Sequence, residues 1–177
     1  MNKKVFQLIV ENSSGVLSRI SGLFSRRGYN IESITAGVTS DPGLTRITIV
    51  ASGDDDILEQ IEKQVAKLID VLSVVELKAE DSVYRELLMI KLRVLPEQRA
   101  SVVALTETDV FRANIIDVGP DSMIIELTGT QSKVDDFIAL VDCYEIIEIA
   151  RTGIAGLTRG TDKLVHINEM IQSGKPD

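Results

Sequence analysis

The sequence predicts an α+β fold of two tandem ferredoxin-like βαββαβ units. Three observations predict it. Segments of β-branched character alternate with apolar stripes of helical spacing in the order strand, helix, strand, strand, helix, strand. Strong turn chemistry joins the two middle strands of each half: Asp41-Pro42-Gly43 in the first and Gly119-Pro120-Asp121 in the second. A polar break, Glu80-Asp81-Ser82, separates the halves, and beyond it the same order starts again. With 177 residues the length alone admits one large domain or two small ones. The repeated topology favours two, residues 1–79 and 80–160, followed by a polar tail at 161–177.

Each element has its own signal. Residues 4–10 are a β-rich run that stops at Glu11-Asn12-Ser13-Ser14-Gly15, a cluster of turn and cap formers. Val16, Leu17, Ile20, Leu23 and Phe24 then make one helical stripe, ended by Arg26-Arg27-Gly28. Cations and a glycine both suit a helix C-terminus. Residues 30–38 and 44–50 read as a hairpin around the Asp-Pro-Gly turn. Asp54-Asp55-Asp56 opens a second helix, well placed against the macrodipole, with a stripe of Ile57, Leu58, Ile61, Val65, Leu68 and Ile69. Residues 71–77 form the fourth strand. The helices cover one face of that sheet only, yet its strands carry apolar residues on both, so the other face is expected to meet another layer.

In the second half the strands are expected at 86–95, 114–118, 123–128 and 144–150. The first helix there, near 97–111, has a weak stripe of Val102, Val103, Val110 and Phe111. The second carries a clearer one of Val134, Phe137, Ile138 and Val141. Beyond Arg151 the chain is punctuated by glycines, with Gly153-Ile154-Ala155-Gly156 read as a structural glycine pair rather than a nucleic-acid clamp.

Composition narrows the function. A hydrophobic content of 44% supports a packed core and argues against disorder. The apolar run 5–10 is too short for a secretory signal or a membrane span, and a single cysteine, Cys143, forbids an intrachain disulfide. A cytoplasmic protein with no membrane association is expected. A net charge of −8 opposes binding to phosphate backbones, and an aromatic content of 4% leaves few stacking platforms, so no nucleic acid is expected as partner.

No catalytic constellation stands out. The one histidine, His166, lies in the tail, remote from Cys143 and from any patterned carboxylate cluster. The three consecutive aspartates at 54–56 point in different directions, which suits a helix start better than a metal site. The segment that does suggest a ligand is Asn12-Ser13-Ser14-Gly15-Val16-Leu17. Free amides at a helix start, beside a glycine that permits close approach, suit a small carboxylate; an ordinary serine cap is the alternative. Asn30 and Ile31 open the next strand at the other end of the helix, where Asn30 offers both a donor and an acceptor to an amino acid, or is simply a turn residue. A helix of this length spans on the order of 20 Å, so both ends touch one ligand only if they come from different chains.

Several motifs resemble a known family. The first half, to residue 79, resembles an ACT domain, a ferredoxin-like module that binds amino acids at a dimer interface. More closely, residues 11–19, 23–33 and 59–64 resemble the small regulatory subunits of bacterial acetohydroxyacid synthase, also called acetolactate synthase. The likeness continues at Phe111-Arg112-Ala113-Asn114-Ile115-Ile116-Asp117-Val118 and at residues 151–160. The resemblance implies a non-catalytic chain that forms a homodimer through ACT domains. It implies valine held as feedback inhibitor, with Asn12, Gly15, Val16 and Leu17 from one chain and Asn30 and Ile31 from the other. It implies a separate large catalytic subunit as partner, carrying thiamine diphosphate, FAD and magnesium, with no cofactor on this chain. The rival readings are a stand-alone enzyme, which lacks the constellation, and an amino-acid-responsive transcription regulator, which lacks a helix-turn-helix and a basic face.

Overall fold

The computed structural model describes residues 2–161. In the first half, Phe6, Leu8 and Val10 alternate along strand β1 (Asn2–Glu11) and meet Ile49 and Ile47 of β3 (Leu44–Gly53) in antiparallel register, Phe6 opposite Ile49 and Leu8 opposite Ile47. This is the period of two expected for a strand with one face in a core. The sheet runs β2-β3-β1-β4, with β2 (Asn30–Val38) and β4 (Val71–Leu77) at its edges. Helix α1 (Val16–Arg27) buries Val16, Ile20, Leu23 and Phe24 against it, and α2 (Asp55–Val65) buries Leu58, Ile61 and Val65. The opposite face is out of solvent as well, since Ile9, Val50, Gln7 and Thr48 are all buried.

Three stripe residues of this half behave differently from expectation. Leu17 is 48% exposed, one residue round from the buried Val16, Ile57 is exposed in the first turn of α2, and Ile69 is exposed beyond the helix altogether. Helix α2 ends at Val65 because its last turn tightens, with Lys67 donating to the Gln64 carbonyl and Leu68 to that of Val65. Its start is held by Asp54, whose carboxylate accepts the Ile57 N–H at 2.9 Å, while Asp55 accepts from the Asn2 amide. Asp54→Ala should therefore lower unfolding stability by about 1 kcal/mol in denaturant titration, with no sensitivity to added magnesium. A magnesium-dependent stability would instead revive the metal reading of the aspartates.

The second half repeats the plan. Strand β5 (Ser82–Arg93) alternates Leu88, Ile90 and Leu92 into a core shared with Leu127, Ile125 and Met123 of β7 (Ser122–Gly129). With β6 (Asn114–Val118) and β8 (Ile146–Arg151) the order is β6-β7-β5-β8, the same permutation as in the first sheet. Helix α4 (Gln131–Val141) contributes Val134, Phe137 and Val141. The helix expected near 97–111 is shorter. One 3-10 turn (Pro96–Gln98) leads into α3 (Arg99–Thr106), which stops where Thr106 Oγ1 donates back to the Val103 carbonyl and its own carbonyl is taken by Ala113 N–H. Arg112 then adopts φ 47°, and Phe111 meets Phe137 edge-on with centroids 5.2 Å apart. Threonine back-bonding competes with helix propagation, which a weak apolar stripe does not outweigh.

Glu86 is buried in this second unit, and a buried carboxylate demands a partner. Arg151 supplies it with both Nε and Nη2, at 2.8 and 3.0 Å, and reaches Asp135 with Nη1. The bonds that Arg151 donates to Glu86 hold its guanidinium pKa above its ordinary value. After Gly153, at φ 78°, Ile154 is buried and a strand that the sequence did not announce, β9 (Ala155–Thr158), follows. Contacts group residues 84–153 as one compact unit, and residues 2–83 together with 154–161 as the other. The sequence drew the boundary after residue 79 and gave all of 80–160 to the second unit. The tail beyond Thr161, and His166 with it, lies outside the described residues.

Candidate functional site

The connection from β1 to α1 decides what the first unit can bind. Gly15 sits at φ 87°, ψ −8°, a left-handed conformation that side chains rarely adopt, and it is the residue that caps α1. Having no side chain, it supplies no cap, so the ordinary serine-cap alternative is not what the chain does. The first-turn amides of α1 keep their outward donors, and the helix dipole adds partial positive charge there. Two other helix starts are closed by side chains, α2 by Asp54 and α4 by Thr130. Helix α3 has no side-chain cap, but a 3-10 turn runs straight into it, and the Arg99 N–H donates to the Pro96 carbonyl.

Asn12 anchors the loop from its other end. Its backbone N–H donates to the Gly43 carbonyl at 2.7 Å and its Nδ2 to that of Pro42 at 2.8 Å, so the Asp-Pro-Gly turn of the hairpin fixes it in place. Behind the loop lies a cavity of about 250 Å³, lined by the backbone and side chains of 10–17 with Thr45 and Ile47. Its size suits a ligand smaller than the drug-sized molecules that fill ~300–1,000 Å³ pockets. A second hollow, of about 330 Å³, is lined by Asn2, Gly53, Asp54, Asp55 and Ile57, and its two carboxylates would repel an anionic head.

Four of the six expected site residues therefore come together. Asn12, Gly15, Val16 and Leu17 all line the cavity. Val16 has its side chain in the core and offers chiefly its amide, whereas Leu17 is half exposed at the mouth. Asn30 and Ile31 are not brought to them within one chain. They follow the glycine that ends α1, with Asn30 Nδ2 on Ser52 Oγ at 3.1 Å and Ile31 packed on the first core. Twelve residues of helix, roughly 18 Å, separate the two groups. Strand β2, which carries them, is a sheet edge, and Ile34 and Val38 along it are exposed.

Some contributors were missed. Thr45 and Ile47 reach the cavity because β3 lies beside β1, opposite Val10 and Leu8, a neighbour relation that only strand order reveals. Arg19 and Asp70 form a bidentate ion pair beside the loop, 51 residues apart in sequence. Among the described residues there is no group of three or more His, Cys, Asp or Glu placed to hold a metal, and no helix long and apolar enough to cross a membrane.

Residues 6–73 match a family described as the AHAS small subunit-like ACT domain, and residues 85–160 match one described as the small subunit of acetolactate synthase. A probable acetolactate synthase small subunit of Archaeoglobus fulgidus is 49% identical over 91% of this chain and 99% of its own length. The isozyme 3 small subunit of Escherichia coli is 47% identical over 92% and 99%. The crystal structure of the acetolactate synthase small subunit from Thermotoga maritima superposes with a TM-score of 0.83 at 42% identity, covering 91% of this chain and 99% of that one.

Proposed function

The chain belongs to the acetolactate synthase small-subunit family, and from that premise we propose that it binds valine across a homodimer of its first units and signals to a catalytic large subunit. The chain is thus a regulatory subunit of branched-chain amino-acid biosynthesis. The observation that carries the effector reading is the uncapped, glycine-started helix α1 opening onto a cavity of about 250 Å³. Valine's carboxylate accepts from the first-turn amides, its ammonium is met by the side-chain carbonyl of Asn12 or of Asn30 from the second copy, and its isopropyl group rests on Leu17 and the partner's Ile31.

In the regulatory mechanism the effector-free subunit holds the catalytic subunit in an active arrangement, and the valine-bound dimer favours a less active one. Coupling of this kind amounts to ~1–3 kcal/mol and is reciprocal, so the catalytic partner also alters valine affinity. Thiamine diphosphate, FAD and magnesium are assigned to the catalytic subunit, and none to this chain. Activation is assigned mainly to the second unit with residues 151–160, because the first unit is occupied by sensing. The complex is placed in the cytoplasm, in keeping with one cysteine in 177 residues.

Mixing the purified chain with its catalytic subunit should raise acetolactate formation, and titrating valine should lower it again, with leucine and isoleucine titrated alongside to rank the effectors. A catalytic subunit whose rate is indifferent to this chain would defeat the reading.

A further inference from the structure

The loop that forms the effector cavity is bracketed by one residue, Asp70, which lies in the connection between α2 and β4. Its backbone carbonyl accepts the N–H of Glu11, the residue just before the loop, at 2.9 Å. Its carboxylate, on a side chain only 10% exposed, takes Nε and Nη2 of Arg19, one turn into the helix after the loop, at 2.5 and 2.9 Å. Arg19 is in turn tied to Gly15 twice. Its backbone N–H closes the first helical turn on the Gly15 carbonyl at 2.9 Å, and its guanidinium lies so near the Gly15 α-carbon that a Cβ there would stand 3.3 Å from Nη1. Both ends of the loop are thus fastened to the same residue, one to its backbone carbonyl and the other to its carboxylate.

We infer that the Arg19–Asp70 ion pair is a positioning device for effector binding, holding Gly15 and the first-turn amides of α1 where a carboxylate can accept from them. The inference rests on the effector reading of the cavity and adds to it two residues that the cavity lining does not include. Three physical points support it. A buried carboxylate is held in one place only by its partner, and the two-pronged guanidinium fixes direction as well as distance. The pair spans a loop of four residues, 12–15, so any shift in Arg19 passes straight to Gly15. The cationic side chain also stands at the helix N-terminus, a place where its own charge opposes the dipole, so its location there is not explained by helix stability.

The test uses the full chain with its catalytic subunit and compares wild type with Arg19→Ala, Arg19→Lys and Asp70→Asn. Calorimetry reads the valine dissociation constant, thermal melting reads stability, and the synthase assay reads both the half-inhibiting valine concentration and the inhibited plateau. All three variants should raise the dissociation constant and the half-inhibiting concentration roughly tenfold, the scale of one charge-assisted contact. The plateau at saturating valine should stay that of wild type, since the coupling between units is untouched. Lysine should not rescue, because it keeps the charge without the fork. Ile61→Val, a core change in α2 away from the loop, controls for stability: it should lower the melting temperature while leaving the dissociation constant in place. Valine affinity within twofold of wild type in Asp70→Asn would overturn the inference, as would full rescue by Arg19→Lys, or an Ile61→Val affinity loss that follows melting temperature along the same line as the other variants. Wild type that binds no branched-chain amino acid would instead sink the effector reading itself.

Discussion

Gly15→Ala should abolish valine inhibition or raise the half-inhibiting concentration roughly a hundredfold, the worth of two amide–carboxylate bonds at about 1.5 kcal/mol each. At φ 87° an L-residue pays about 1–2 kcal/mol, and relaxing that strain means rotating the peptide that precedes the first-turn amides. The new Cβ also stands 3.3 Å from Arg19 Nη1 and 3.9 Å from Cζ. An unrestrained arginine would swing away, but this one is held by Asp70, so the loop moves instead. The stability loss is therefore modest while the displacement falls on the atoms that grip the ligand. Activation of the catalytic subunit in the absence of valine should be retained. A synthase assay showing full valine sensitivity in this variant would remove the helix start from the effector site, and a parallel melt would show whether the chain remained folded.

The fold was readable where local chemistry fixes it. The Asp41-Pro42-Gly43 turn, the Arg26-Arg27-Gly28 helix end and the alternation of Leu88, Ile90 and Leu92 act within a few residues, and strands 30–38, 71–77 and 114–118 fall where the sequence puts them. Legibility failed where the outcome depends on distant partners. Helix α3 ends at Thr106 because of side-chain and backbone bonds that a loose stripe does not disclose, and Phe111 is core through a turn rather than a helix. The four residues of β9 carry too little pattern of their own, and the N–H of Arg159 that follows them bonds the Asp81 carbonyl, far away in sequence. The site divides the same way. Asn12 and Gly15 announce themselves as a glycine-started helix after a strand. Thr45, Ile47, Arg19 and Asp70 enter only once β3 is known to lie beside β1 and the α2–β4 connection is known to return to the start of α1.

Phe137→Ala should destabilise the second unit selectively and so separate sensing from activation. Phe137 is fully buried, contacts Phe111 edge-on, and sits on the longer of the two helices in its unit, since α3 has only eight residues. Truncation of such a side chain costs ~3–5 kcal/mol, against a stability of ~5–15 kcal/mol for a whole domain. No residue of α1, of the loop 12–17 or of Arg19–Asp70 belongs to that core, which draws only on residues from Leu88 to Ile146. Denaturant titration should show an early transition that wild type lacks. Valine binding by calorimetry should stay within a few-fold of wild type, because the first core and its cavity are built from residues 2–77. Activation of the catalytic subunit should disappear across that early transition. Simultaneous loss of valine binding and activation would mean that the two units share their folding energy, and the assignment of activation to the second unit would then have no independent support.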